Sequence, residues 1–451
     1  MNDETTGTIG TTPRLGEQLS YVGGEFSSNF AWNMVMGYLL FYYTDVARLP
    51  IAALGTLMLV TRILDAVFDP LVGVAVDRTR TRWGQARPYL LWASGPFGIM
   101  FVLTFAVPEW SPTAKVAYAY ATFAVLGLLY SMVYIPFGAL QPMMVQDPGI
   151  KIRLGSWRAM GTAFASIVVY SLVLPLVGMT GSGRRSAGFT LAAAVIGSVS
   201  VILNLIVFLK CRERFVTASV GVGRSIGTDI ARLTRNGVWV MSFSYVLLAF
   251  IRLGVMVSVT AYFANSALQR PALLAVLLPL LSVSIMAGGF LASIVMTRWG
   301  QRQTNIAFLC LSIVGYLLMP HLESSTVALV GLFMAANLVG GIVGATVFIA
   351  VADAVVFNEA KFGYRNEGLM FAGVSFGMKV GVAIGAAATA YALSWAGYEP
   401  GVPSDSAVRM IRWLFYYVPL VMSVLQILCI LLLRYDRSAE GVVSVTASVA
   451  E

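Results

Sequence analysis

Thr81-Arg82-Trp83-Gly84-Gln85 recurs letter for letter as Thr297-Arg298-Trp299-Gly300-Gln301, 216 residues further along a chain of 451. An identical pentapeptide at the same point of each half marks an internal repeat rather than a chance match. What is repeated can be read from the surrounding text. Apolar runs fall at roughly 20–45, 51–76, 88–108, 114–145, 156–180 and 187–210, then at 237–264, 272–296, 303–320, 324–356, 366–396 and 408–434. Each is long enough to cross about 30 Å of hydrocarbon as a helix. One copy of the pentapeptide follows the second run and the other follows the eighth. A weaker echo links Asp147 and Arg153 with Glu359 and Arg365. The expectation is an all-α polytopic membrane protein of twelve transmembrane helices in two six-helix pseudo-symmetric bundles. A small solute would sit between them near the bilayer midplane.

Composition agrees. The chain is 58% hydrophobic and 11% charged, whereas soluble chains carry roughly 25% charge. That argues against a soluble enzyme, and no segment alternates as a membrane barrel strand does. The net charge of +9 is an orientation signal in such a chain, not a nucleic-acid footprint. With the termini inside, twenty basic residues fall on cytoplasmic segments, including Arg78, Arg80, Arg82, Arg87, Lys210, Arg212, Arg214, Arg224, Arg232, Arg235, Lys361, Arg365, Arg434 and Arg437. Seven fall opposite: Arg48, Lys115, Arg184, Arg185, Arg270, Arg409 and Arg412. The expected order is a cytoplasmic tail (1–19), a bundle (20–210), a central cytoplasmic loop (211–236), a second bundle (237–434) and a cytoplasmic tail (435–451), all in the cell (inner) membrane. Met1 to Pro13 lacks the pattern of a signal peptide. Cys211, Cys310 and Cys429 have no metal-ligand spacing and read as packing residues. No metal and no cofactor are expected.

The chemistry concentrates in the second run, Arg62-Ile63-Leu64-Asp65-Ala66-Val67-Phe68-Asp69-Pro70. Asp65 and Asp69 are four apart, on one helix face, with Arg62 a turn earlier. Carboxylates inside an apolar span are costly and normally face a cavity and charged partners. The pair should titrate as a coupled unit and take up either a proton or a Na⁺. Lys379, deep in the eleventh run, is a natural distant partner. Glu25 and Asn29 are also four apart, on the first run; Glu25 reads equally as a third coupling carboxylate or as the partner of a basic loop residue. Arg252 in the seventh run suits a salt bridge or an anionic solute. Asp77, Arg78, Arg82, Arg87, Asp147 and Arg153 read as a cytoplasmic gate closed by ion pairs.

These motifs together resemble the glycoside-pentoside-hexuronide:cation symporters of the major facilitator superfamily, the family of the melibiose permeases. The matching text is Tyr38 to Val46 (YLLFYYTDV), Gly55-Thr56-Leu57, Arg62 to Ala66 with Asp69-Pro70-Leu71, Asp77 to Pro88 (DRTRTRWGQARP), Ile135-Pro136-Phe137, Arg158, and Lys361 to Glu367 before Lys379. The resemblance implies that Asp65 and Asp69 form a coupling-cation site with Ser131, that Lys379 lies beside it, and that Arg158 arranges the binding cavity. Phe68 stands where the Na⁺-using branch has an asparagine ligand, which favours H⁺, since a proton needs only a carboxylate. Asn29 and Tyr134 replace two sugar-binding aspartates, and Gly138 replaces a stacking tryptophan. Glu25, Asn29, Trp32, Tyr134, Gly138, Gln141 and Arg158 are then the candidate substrate contacts.

The expected function is import of a glycoside or other sugar-like solute by cation-coupled alternating access, with the chain working as a monomer in the lipid bilayer and without nucleic acid. The alternative is a major facilitator transporter of a non-sugar amphipathic solute, lysolipid-like or drug-like. A membrane enzyme is disfavoured: the single histidine, His321, has no nearby Asp or Cys, and no HExxH, paired CxxC or phosphate-cradling loop occurs.

Overall fold

The structure, a computed structural model, describes residues 13–181, 184–215, 236–344, 346–347, 351, 354 and 367–432. Among these, nine helical stretches are long and apolar enough to cross a membrane, so the protein is an all-α, multi-pass membrane protein. The helices are α1 (Leu15–Phe41), α2 (Ile51–Arg78), α3 (Arg87–Thr104), α4 (Pro112–Met144), α5 (Pro148–Gly178), α6 (Arg185–Lys210), α7 (Gly237–Tyr262), α8 (Leu274–Leu318), α9 (Thr326–Asn337), α10 (Glu367–Trp395) and α11 (Asp405–Leu432). Arg224, Arg232, Arg235, Glu359, Lys361, Arg365, Arg434, Arg437 and the 435–451 tail lie outside the described residues, as does the side chain of Arg62.

The repeat is visible in the backbone. α8 carries both the eighth and the ninth apolar runs, with Gly300 between them at φ 76°. Gly84, its partner in the first pentapeptide, sits at φ 111°. Both positions lie in the left-handed region, where a Cβ is strained, so each copy of the motif needs its glycine. A second equivalence is hidden from the letters. α1 runs on into a π-helical turn at Tyr42–Val46 and α7 into one at Phe263–Ala267. Each turn is followed by a non-glycine residue at positive φ, Arg48 at 56° and Gln269 at 55°.

The chain forms two compact units. The first comprises Met1–Gly221 with Ala264–Ser282 and Leu393–Ser404; the second comprises Val222–Phe263, Val283–Ala392 and Asp405–Glu451. In the first, α1 packs on α5 and α6, α3 on α4 and α6, and α2 on α4. Large aromatics fill it, Tyr21, Tyr38, Tyr42, Phe97, Phe101, Phe105, Phe137 and Phe189 all being fully buried. In the second, α7 packs on α11, and Tyr245, Val246, Leu309, Val343, Met370 and Val374 share a core cluster.

The segment after α6 ties the first unit together. The Glu213 carboxylate accepts the backbone N–H groups of Gln85 (2.7 Å), Ala86 (2.9 Å) and Arg87 (3.0 Å). These are donors at the start of α3 that no intrahelical carbonyl can satisfy. Next to it, both Glu17 oxygens accept from the Arg214 guanidinium at 2.7 Å, and Oε1 also accepts the Arg212 N–H. The hydrogen bond that Arg214 donates to Glu17 holds the Arg214 pKa above its ordinary value. Glu213→Ala should leave three N–H groups without this acceptor and cost about 1–3 kcal/mol. The check is the melting midpoint of the purified protein, which should fall clearly for Glu213→Ala and much less for Glu213→Gln.

Candidate functional site

α2 and α4 run side by side in a fixed register. Asp69 Oδ1 accepts a hydrogen bond from Ser131 Oγ at 2.5 Å, 62 residues further along the chain. One turn back, Asp65 faces Gly127 at the same spacing: a Cβ on Gly127 would lie 2.9 Å from Asp65 Oδ1. The i, i+4 pair of carboxylates therefore meets an i, i+4 pair of small residues. Ser131 supplies a donor, and Gly127 supplies the room in which the Asp65 carboxylate rests. Asp65 is only 9% exposed. Beside it is a cavity of about 10 Å³, lined by Ala31, Trp32, Thr61, Phe97, Phe101 and Tyr130 among others. That is room for about one water molecule. The Thr61 hydroxyl donates back to the Leu57 and Met58 carbonyls of its own helix, so the walls of this chamber are mostly hydrocarbon and aromatic ring.

A second polar group forms between α1, α4 and α5. Glu25 Oε2 accepts from Arg158 Nε at 2.7 Å, while Oε1 accepts from Asn29 Nδ2 (3.0 Å) and Thr162 Oγ1 (3.1 Å). Arg158 Nη1 also donates to Gln141 Oε1 at 3.3 Å. The guanidinium lies over Phe137 (5.3 Å) and Tyr21 (5.8 Å), two rings that stack on each other. The Glu25 carboxylate, 4% exposed by residue, is thus partnered by a basic residue of α5. Removing one member of so buried a pair strands the other, which typically costs about 3–5 kcal/mol.

The remaining expected contacts line up on neighbouring faces. Trp32 stacks on Tyr130 with ring centroids 4.9 Å apart, and Tyr130 stacks on Tyr134 at 5.4 Å. One turn beyond Tyr134, a Cβ on Gly138 would meet nothing within 4 Å, so open space lies beside these rings. Tyr130, Thr162 and Gly127 escaped the sequence reading. Tyr130 is four residues from Tyr134, Thr162 four from Arg158 and Gly127 four from Ser131, a spacing that would have flagged all three. Lys379 is half-buried on α10, in the second unit. Arg252, 4% exposed, donates to Ser312 Oγ at 3.3 Å within that unit.

Four of the six expected gate residues have contacts within the first unit. Arg87 donates Nε and Nη2 to the Phe208 carbonyl at 3.1 and 2.5 Å and lies over the Phe208 ring. Arg82 lies over Trp83 at 4.5 Å. Asp147 caps α5 by accepting from Ile150 N at 2.8 Å, and Arg153 donates to Gln18 Oε1 at 2.6 Å. Asp77 and Arg78 are exposed at the end of α2.

The site is thus a pair of carboxylates, one buried and one part-buried, facing small residues of α4, with an ion pair and an aromatic ladder on neighbouring faces. The sequence comparisons give the class. The family described as MFS/sugar transport protein matches residues 20–437, and the chain belongs to it. It is accordingly a transporter and not an enzyme. It is 31% identical over 435 residues to the isoprimeverose transporter of Lactiplantibacillus pentosus, covering 93% of this chain and 89% of that one. It is 33% identical over 417 residues to the glucuronide carrier protein homolog of Escherichia coli (strain K12), covering 90% of each. The inner membrane symporter YicJ of the same organism is 30% identical over 415 residues, covering 90% of this chain and 88% of the relative. The fold is that of solved major facilitator structures. The inward-open xylose transporter XylE from E. coli superimposes with a TM-score of 0.66 at 12% identity, over 91% of this chain and 94% of that one. The nucleoside transporter NupG gives 0.59 at 16% identity, over 92% and 97%.

The α2–α4 register makes a direct prediction. Gly127→Ala should drive the Asp65 carboxylate from its place and reduce solute uptake at least tenfold, whereas Gly138→Ala, which meets only open space, should leave folding intact. Uptake into proteoliposomes at matched protein amounts, with melting curves of both variants, checks the pair.

Proposed function

We propose that the chain is a secondary-active symporter importing a glycoside or other sugar-like solute by alternating access, with H⁺ as the coupling ion. In this reading twelve spans form two six-helix bundles and both termini are cytoplasmic. Two relatives, an isoprimeverose transporter and a glucuronide carrier protein homolog, support a glycoside as the solute class. The open space at Gly138 beside the Trp32–Tyr130–Tyr134 ladder suits a ring, since apolar sugar faces stack on aromatic ones.

The observation that carries the coupling is the setting of the two carboxylates. Asp69 meets the neutral hydroxyl of Ser131, and the chamber beside Asp65 has room for about one water and few oxygens in its wall. A hard metal cation is bound by a shell of some six or more oxygens. A proton needs one carboxylate oxygen. Protonation would neutralise charge that is expensive at this depth, and so favour the movement that carries the site across the membrane. The Asp69–Ser131 bond then serves to orient the carboxylate that takes the proton. Glu25, by contrast, has its oxygens filled by Arg158, Asn29 and Thr162, and fixes the position of the guanidinium that solute hydroxyls would meet.

Asp69→Asn keeps the shape and removes the titrating group. It should abolish accumulation against a gradient, bringing the inside-to-outside solute ratio to about one, while exchange down a gradient survives. Full concentrative uptake by this variant would overturn the coupling role. For the native protein, a protonophore should collapse accumulation and replacement of Na⁺ by choline should leave it unchanged; a steep Na⁺ dependence would exclude the proton as sole coupling ion.

A further inference from the structure

The π-helical turns that end α1 and α7 are equivalent in the repeat. Asp45 and Ser266 occupy the fourth position of the two turns, Tyr42–Val46 and Phe263–Ala267. Tyr398, on the link between α10 and α11, is 6% exposed. Its hydroxyl lies 2.8 Å from Asp45 Oδ1 and 3.0 Å from Ser266 Oγ. All three residues belong to the first compact unit. A phenol has one proton to give and lone pairs to receive, and an ionised carboxylate only accepts. Tyr398 therefore donates to Asp45 and accepts from Ser266. Asp45 Oδ2 is held in turn by Thr44 Oγ1 at 2.7 Å. Gly397, at φ 68°, makes the reversal that delivers the ring, and a cavity of about 250 Å³ lined by Thr44, Arg48, Pro400 and Tyr398 itself adjoins the contact.

We propose that Tyr398 is a latch: its one hydroxyl joins the equivalent ends of the first helix of each repeat, and its release is a step in opening the transporter on that face. The inference rests on the alternating-access reading given above. Rocking halves must part at these helix ends once in every cycle. A contact there has to hold and then let go, and two hydrogen bonds, one to a charged acceptor, are of the right strength. A buried ion pair in the same place would be far harder to separate and rehydrate. The neighbouring cavity supplies water to both groups when they part.

Tyr398→Phe removes both bonds and keeps the ring. Ala264→Cys supplies a reporter, because Ala264 is fully buried two residues before Ser266. In a background of Cys310→Ala and Cys429→Ala, a membrane-impermeant maleimide applied to intact cells should label position 264 about tenfold faster once Tyr398→Phe is added. Ser266→Ala, which removes one bond, should give a smaller rise. General loosening of the bundle is separated by Cys211, a fully buried thiol that burial pushes up to about 12. Its labelling in detergent should not change. An unaltered rate at position 264 in both latch variants, or an equal rise at Cys211, overturns the latch. The labelling is read without solute, so a native protein that showed no coupled uptake would count against the symporter reading and leave this result standing.

Discussion

A carboxylate at the depth of the hydrocarbon must be held by something, and the first unit is organised around meeting that demand. Asp69 has the Ser131 hydroxyl. Asp65 has the gap over Gly127, where α4 comes close enough that no side chain fits between. Glu25 has the Arg158 guanidinium, itself sandwiched against Tyr21 and Phe137. The three acids are held in three ways.

The apolar runs made the helical, membrane-spanning character legible, because hydrophobic length is a property of letters. The i, i+4 spacing of Asp65 and Asp69 likewise pointed to one face, and the structure places a partner on α4 at the same spacing. What the letters hid were features that depend on backbone geometry or on a neighbour distant in sequence. The two π-helical turns have no residue in common, so Asp45 and Ser266 do not look related until φ values and hydrogen bonds are compared. Glu25 was ambiguous because its partner, Arg158, lies on another helix. The letters also did not show that Arg87 meets the Phe208 carbonyl and ring, or that Asp147 accepts from the start of its own helix.

The two copies of the pentapeptide also show how identical letters acquire different surroundings. Gly84 lies under the Glu213 carboxylate, whereas a Cβ on Gly300 would meet nothing within 4 Å. The backbone requirement is common to both glycines, and the neighbour is particular to one. Arg252 shows a parallel asymmetry: the second unit buries a cation against a neutral hydroxyl, where the first buries acids.

The Glu213 clamp has a further consequence for how the chain is made. The Gln85 N–H waits for a carboxylate 128 residues downstream. At ribosomal rates of roughly 5–20 residues per second, that acceptor emerges on the order of ten seconds after the loop it must close. Until then the N–H groups at the start of α3 are without this acceptor, so the loop before α3 takes its final form only after the segment following α6 has emerged.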